Sequence, residues 1–99
     1  METSNKTIIK KSLKTSKPKH YKVVMFNDDY TSMEFVVDIL INVFNKNSEA
    51  AKKIMTEVHE NGKGIAGIYP YDIAVTKVSI AMAKAEDDGF PFKLIVEEV

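Results

Sequence analysis

Three places in this sequence hold side chains whose types and spacing could do chemistry. Asn27-Asp28-Asp29 sets two adjacent carboxylates beside an amide carbonyl, an acceptor-rich patch between an apolar run and a helix-start signal. The same residue types also serve as plain turn and capping residues, so both readings stand at this point. His59 lies four residues beyond Met55 on an apolar stripe, where an imidazole is either a core-edge group or a neutral acceptor. Met33, Met55 and Met82 occupy otherwise core-like positions; their soft, flexible side chains fill gaps in cores and equally suit adaptable binding pockets. An acceptor patch, a neutral imidazole and a methionine-lined hollow together suit a cationic amine carried beside a bulky apolar group. A peptide's free N-terminus with a large hydrophobic first residue is such a ligand. Its α-amino group, with an ordinary pKa of about 7.7–8.0, is mostly protonated at neutral pH and offers three donors. Binding of this kind needs no catalysis.

Enzyme chemistry fits these residues poorly. The chain has no cysteine, which removes thiol nucleophiles, thiolate metal sites and disulfide frameworks at once. Only two histidines are present, and His20 lies at the edge of a lysine-rich segment. Gly62, Gly64 and Gly67 follow a helical pattern rather than precede one, the wrong order for a phosphate-cradling loop. Asp28, Asp29 and His59 are metal-ligating types, but no pair has the helical spacing of a zinc site, so neither a metal nor a cofactor is expected. All 14 basic residues are lysine, which removes the bidentate guanidinium contacts favoured for phosphate and base recognition.

The elements that must position these residues follow from pattern. With 99 residues, 44% hydrophobic and 28% charged, the chain suits one ordinary globular domain. No apolar stretch approaches the roughly 20 residues of a membrane span, and the opening residues lack a secretory pattern, so a cytoplasmic location is the expectation. Net charge is zero but unevenly spread. Residues 1–20 carry six lysines against Glu2, net +5, whereas 21–99 carry eight lysines against thirteen acids, net −5. The first segment has too few bulky apolar residues to offset its ordering entropy and reads as a flexible tail, 1–20, ahead of a domain over 21–99.

Within that domain Tyr21–Phe26 reads as a strand. Thr31-Ser32-Met33-Glu34 reads as a capping box with Thr31 as the cap, opening a helix to about Phe44 that is apolar nearly all round and so covered on two sides. Asn47-Ser48 opens a second helix to about Glu60, with Gly62 at the left-handed C-cap. Gly64–Tyr69 reads as a short strand whose glycines permit close approach of another backbone. A third helix starts at Pro70-Tyr71-Asp72 and ends near Asp87, with Ile73, Val75, Val78, Ala81, Met82 and Ala85 as its apolar positions, and Phe92–Glu97 is the last strand. The order β-α-α-β-α-β predicts an α+β two-layer domain, a three-stranded antiparallel sheet packed against three helices.

The run Tyr21-Lys22-Val23-Val24-Met25-Phe26-Asn27-Asp28-Asp29-Tyr30-Thr31-Ser32-Met33-Glu34-Phe35-Val36-Val37 resembles the opening motif of the ClpS family. Val58-His59-Glu60-Asn61-Gly62-Lys63-Gly64 and Ala74-Val75-Thr76-Lys77 extend the likeness in the same order, over about residues 18–99. ClpS-like proteins are adaptors of a ClpA-type AAA+ unfoldase and its ClpP peptidase. They select proteins with bulky N-terminal residues (Leu, Phe, Tyr, Trp) for degradation. The resemblance implies that Asn27, Asp28, Asp29 and His59 hold the substrate's α-amino group, with Asp29 ranked above Asp28 for direct contact. It implies a side-chain pocket of Thr31, Met33, Val36, Met55, Val58 and Phe92, with Met33 excluding β-branched first residues. Tyr30, Asp72 and Lys77 match positions that dock on the unfoldase's N-terminal domain, although Asp72 also suits a helix start by its charge alone.

Three departures qualify the likeness. Ser32 replaces a usual proline, Val75 replaces the glutamate of an Ala-Glu-Thr-Lys motif, and Phe92 replaces a leucine and narrows the pocket or changes which aromatic fits. The expectation is therefore a monomeric cytoplasmic adaptor with no chemistry of its own. Two rivals belong to other classes. One is a ribosomal or RNA-associated protein, since the layout also resembles the ribosomal stalk protein's C-terminal domain; an acidic domain without arginine opposes it. The other is a small hydrolase built on Asp28, Asp29 and His59, which lacks an evident nucleophile.

Overall fold

The computed structural model describes residues 19–99. The segment expected as a tail lies outside the described residues except for Lys19 and His20, and His20 opens the first strand. The elements in chain order are β1 (His20–Phe26), α1 (Met33–Asn42), α2 (Ser48–Asn61), β2 (Lys63–Pro70), α3 (Tyr71–Asp87) and β3 (Lys93–Glu98). The strands form one sheet in the order β2-β1-β3, with both pairings antiparallel. The expected α+β architecture and element order are those observed.

Side-chain alternation divides the sheet into two unlike faces. Tyr21, Val23 and Met25 of β1, with Leu94 and Val96 of β3, pack against the helices and into the core. Lys22, Val24 and Phe26 point the other way, beside Ile68, Ile65 and Lys63 of β2 and Glu97, Ile95 and Lys93 of β3. All three helices lie on the first face, which makes a two-layer domain. A bulge in the β1–β2 pairing, where Val23 faces Gly67 and Val24 faces Ile65, leaves Ala66 as the extra residue on β2.

The helices begin and end where local chemistry permits. Asn47 caps α2 by accepting from the Ala50 N–H at 2.8 Å, and Gly62 closes it at φ 84°, a conformation that favours glycine. At α1 the cap is Ser32, not Thr31: the Ser32 hydroxyl accepts from the Phe35 N–H at 3.1 Å. Thr31 is diverted because its hydroxyl donates to Asp28. The helix stops at Asn42, two residues before the expected Phe44, and Asn45 turns the chain at φ 58°. Phe35, Val36, Ile39 and Leu40 are buried along one face of α1, whereas Val37 and Ile41 are only half-buried beside α2, so cover on the second side is partial.

Of the apolar positions expected on α3, Ala81 and Ala85 are buried and Val78 packs against the core, but Ile73, Val75 and Met82 do not. Ala74, Ala81 and Ala85 meet the core, and the larger Ile73, Val75, Ile80 and Met82 are each about 39–45% exposed. Small residues let the helix axis lie close to the sheet, so bulk sits on the flanks. One polar cluster ties this helix to the α1–α2 loop. The Lys77 ammonium donates to the Val43 carbonyl at 2.6 Å and to Asn45 Oδ1 at 2.7 Å, and lies 5.3 Å from the centre of the Tyr69 ring. The Tyr69 hydroxyl donates to the Phe44 carbonyl at 3.1 Å, and its partial burial raises the phenol's pKa. Tyr69 can fold back this way because residue 67 is glycine: a Cβ there would sit on the Tyr69 ring and hydroxyl.

Candidate functional site

The Asn27-Asp28-Asp29 turn lies where β1 ends and is tied to the end of the helix that carries His59. Asn27 follows the last residue of β1, and its N–H donates to the Gly62 carbonyl at 2.9 Å. That bond fastens the β1–α1 turn to the C-cap of α2, and His59 sits in the last turn of the same helix. The side chains of Asn27, Asp29 and His59 are solvent-exposed, which leaves their acceptors available to a ligand.

Asp28 has a different role from its neighbours. One carboxylate oxygen accepts from the Tyr30 and Thr31 N–H groups at 2.8 and 2.7 Å, and the other accepts from the Thr31 hydroxyl at 2.7 Å. Partial burial raises its pKa, but the Thr31 hydroxyl, Thr31 N–H and Tyr30 N–H more than offset this, and the group ends below its ordinary 3.8. Asp28 therefore organises the turn, while Asn27 and Asp29 are presented by it.

Behind the turn lies a small hollow with room of only about 20 Å³, lined by Phe26, Asn27, Asp28, Thr31, Val36, Val58 and Phe92. Four of the six expected side-chain-pocket residues are thus together: Thr31, Val36, Val58 and Phe92. Phe92 is buried and packs edge-to-face on Phe35, with ring centres 5.7 Å apart; Phe35 in turn meets Phe90 at 5.0 Å. The chain's extra aromatic bulk at 92 is accordingly a fixed wall.

Met33 and Met55 do not line this hollow. They lie in a wider neighbouring groove between α1 and α2, with Val37, Ile41 and the polar Glu34, Asp38, Lys52 and Thr56. The two depressions adjoin: Val36 and Val37 are consecutive on α1, and Met55 and Val58 are one turn apart on α2. Met33 is 51% exposed, so it stands free at the mouth of α1. Met82 belongs to neither place and lies on the exposed flank of α3. Phe26 is a lining residue that the sequence reading did not select, although its position next to Asn27 was a usable signal.

Of the positions matched to partner docking, Tyr30 is 77% exposed on the site turn and Asp72 is exposed in the first turn of α3. Lys77 is half-buried, with its ammonium engaged by the α1–α2 loop. Among the described residues no group of three or more His, Asp or Glu side chains could hold a metal ion, and no helix is long and apolar enough to cross a membrane.

Residues 16–95 match the family described as "ATP-dependent Clp protease adaptor protein ClpS". The chain belongs to the ClpS family. A relative named "ATP-dependent Clp protease adapter protein ClpS" from Clostridium acetobutylicum is 54% identical over 99 residues, covering 100% of this chain and 98% of its own length. A Wolinella succinogenes protein of the same name is 49% identical over 92 residues, 93% of this chain and 90% of the relative. Among solved structures, Agrobacterium tumefaciens ClpS2 bound to L-phenylalaninamide superposes with a TM-score of 0.80 at 35% identity, covering 84% of this chain and all of that one. ClpS-family proteins are named as adaptors of the Clp protease, not as enzymes, which classes this chain as a Clp protease adaptor without catalytic chemistry.

Proposed function

We propose that this adaptor reads the N-terminal residue of its substrates, taking up those that begin with Leu, Phe, Tyr or Trp, and delivers them to a ClpA-type AAA+ unfoldase for degradation by ClpP. The observation that carries the reading is the juxtaposition at the end of β1. Asn27 lines one hollow with Val36, Val58 and Phe92, and the exposed acceptors Asp29 and His59 are the chain neighbours of its lining residues Asp28 and Val58. A protonated α-amino group needs acceptors, and its neighbouring side chain needs an apolar seat, so one ligand satisfies both. The Agrobacterium relative's ligand, L-phenylalaninamide, carries an amine beside a benzyl group, the same two features.

In this reading Asn27 Oδ1 and a neutral His59 accept from the ammonium, Asp29 supplies negative charge, and Asp28 holds the turn that presents them. Thr31, Val36, Val58 and Phe92 seat the first side chain, and Met33 and Met55 close over it from the adjoining groove. Tyr30 and Asp72 face the unfoldase's N-terminal domain, and Lys77 joins them from α3 while bracing the α1–α2 loop. The protein works as a monomer in the cytoplasm, beside the protease it serves.

The test is a degradation assay with purified unfoldase and peptidase and a fluorescent reporter that begins with Leu or with Met. Adding this protein accelerates loss of the Leu reporter and not of the Met reporter. Equal turnover of both, with and without the protein, contradicts the proposal.

A further inference from the structure

We propose that Gly64, which lines no part of the hollow, sets the size of first side chain the hollow accepts by letting Val58 sit back against β2. The inference rests on the N-terminal recognition proposed above. Val58 is 3% exposed and forms one wall of the hollow. Gly64 is the second residue of β2, directly beneath α2. A Cβ at residue 64 would lie 2.9 Å from Val58 Cγ2, and 3.6 Å from both the Val58 nitrogen and the Ile54 carbonyl oxygen. Real Cβ atoms essentially never come so close, so something must yield.

What yields is the hollow. Valine is branched at Cβ and stiff at χ1, so its methyl cannot swing aside as a long side chain would. Backbone of α2 occupies the other near positions around residue 64. The end of α2 is also fastened to the site turn through the Asn27 N–H and the Gly62 carbonyl, so the helix cannot retreat without carrying the acceptors with it. Opposite Val58, the Phe92 ring is held by Phe35. A methyl group at residue 64 therefore pushes Val58 into a space that is already small, and overpacking of this kind penalises larger guests most.

The experiment compares dissociation constants of one peptide series, identical except for a first residue of Leu, Phe or Trp, on the full chain and its variants. Gly64→Ala weakens the Trp peptide on the order of tenfold more than the Leu peptide. Val58→Ala moves the Trp-to-Leu ratio the opposite way, and the double variant keeps the Val58→Ala ratio to within about twofold because the clashing methyl is gone. Should Gly64→Ala alone fail to fold, the double variant must fold, and its failure to do so overturns the proposal. An unchanged ratio in Gly64→Ala, whether or not overall affinity falls, also overturns it, as does an unchanged ratio in Val58→Ala. A wild type that binds none of the three peptides instead removes the recognition reading, and the role of Gly64 with it.

Discussion

Replacing Asp28 with alanine tests whether one carboxylate organises the site turn. The change removes an acceptor of three hydrogen bonds, two from backbone N–H groups and one from the Thr31 hydroxyl, all at 2.7–2.8 Å. Caps of comparable geometry are worth about 0.5–2 kcal/mol, and a partly solvated carboxylate with three donors belongs in the upper half of that range, about 1–2 kcal/mol. For a domain of this size each kcal/mol lowers the melting temperature by roughly 4–8 °C. Thr31→Val removes only the hydroxyl donor and costs less, about 0.5–1.5 kcal/mol. Denaturant unfolding at constant m-value reads both, and a double-mutant cycle isolates their coupling. The pH dependence supplies an independent check. The folded-state carboxyl lies below its ordinary 3.8, so its stabilisation is complete above that value and is lost as the pH falls through the lower, folded-state one. The Asp28→Ala protein lacks that acid-side loss. An Asp28→Ala domain as stable as wild type at neutral pH, with an identical acid limb, would refute the assignment.

Three further outcomes follow from the same geometry. Lys77→Met leaves the Val43 carbonyl and Asn45 without their donor and lowers stability by about 1–2 kcal/mol in denaturant unfolding; an unchanged midpoint would show that the brace is idle. If His59 accepts from the substrate amine, His59→Ala weakens binding of a Leu peptide by on the order of tenfold in a fluorescence titration, and unchanged affinity removes His59 from the role. Met33→Ala opens the exposed mouth of α1 and admits peptides beginning with Ile or Val; continued rejection of both in a binding assay places the selection elsewhere.

Much of this architecture is readable where a residue's own chemistry decides its conformation. Asn47 bounds α2 through its side-chain acceptor and Gly62 through its lack of a Cβ, and the capping hydroxyls before Met33 announce α1. Which hydroxyl caps α1 was not decidable locally, because Thr31 is claimed by Asp28 and the task passes to Ser32. The early end of α1 combines the local turn at Asn45 with distant partners. Val43 and Phe44 are apolar and continue the helical stripe, but their carbonyls are taken by Lys77 and Tyr69, 34 and 25 residues away. On α3, size misleads: close approach to the sheet selects Ala74, Ala81 and Ala85 for the buried face over the larger Ile73, Val75 and Met82.

At the site, the family resemblance implied four of the hollow's side chains, Thr31, Val36, Val58 and Phe92, whereas the residues alone offered the acceptors of Asn27, Asp28 and Asp29 as one of two readings. The division of Met33 and Met55 into a separate groove was not identifiable, because it depends on how far α1 stands from α2. The same holds for Gly64, whose significance lies in a contact with Val58 across two elements.

The central claim, that the site reads a free N-terminus together with its side chain, is tested most directly by one pair of peptides. A fluorescent peptide beginning with Leu is titrated with this protein beside the same peptide N-acetylated, which loses charge and donors but keeps its side chain. Tight binding that acetylation abolishes is the predicted result. Equal binding of the two peptides would contradict the account, since the hollow would then be holding a side chain without reading the amine beside it.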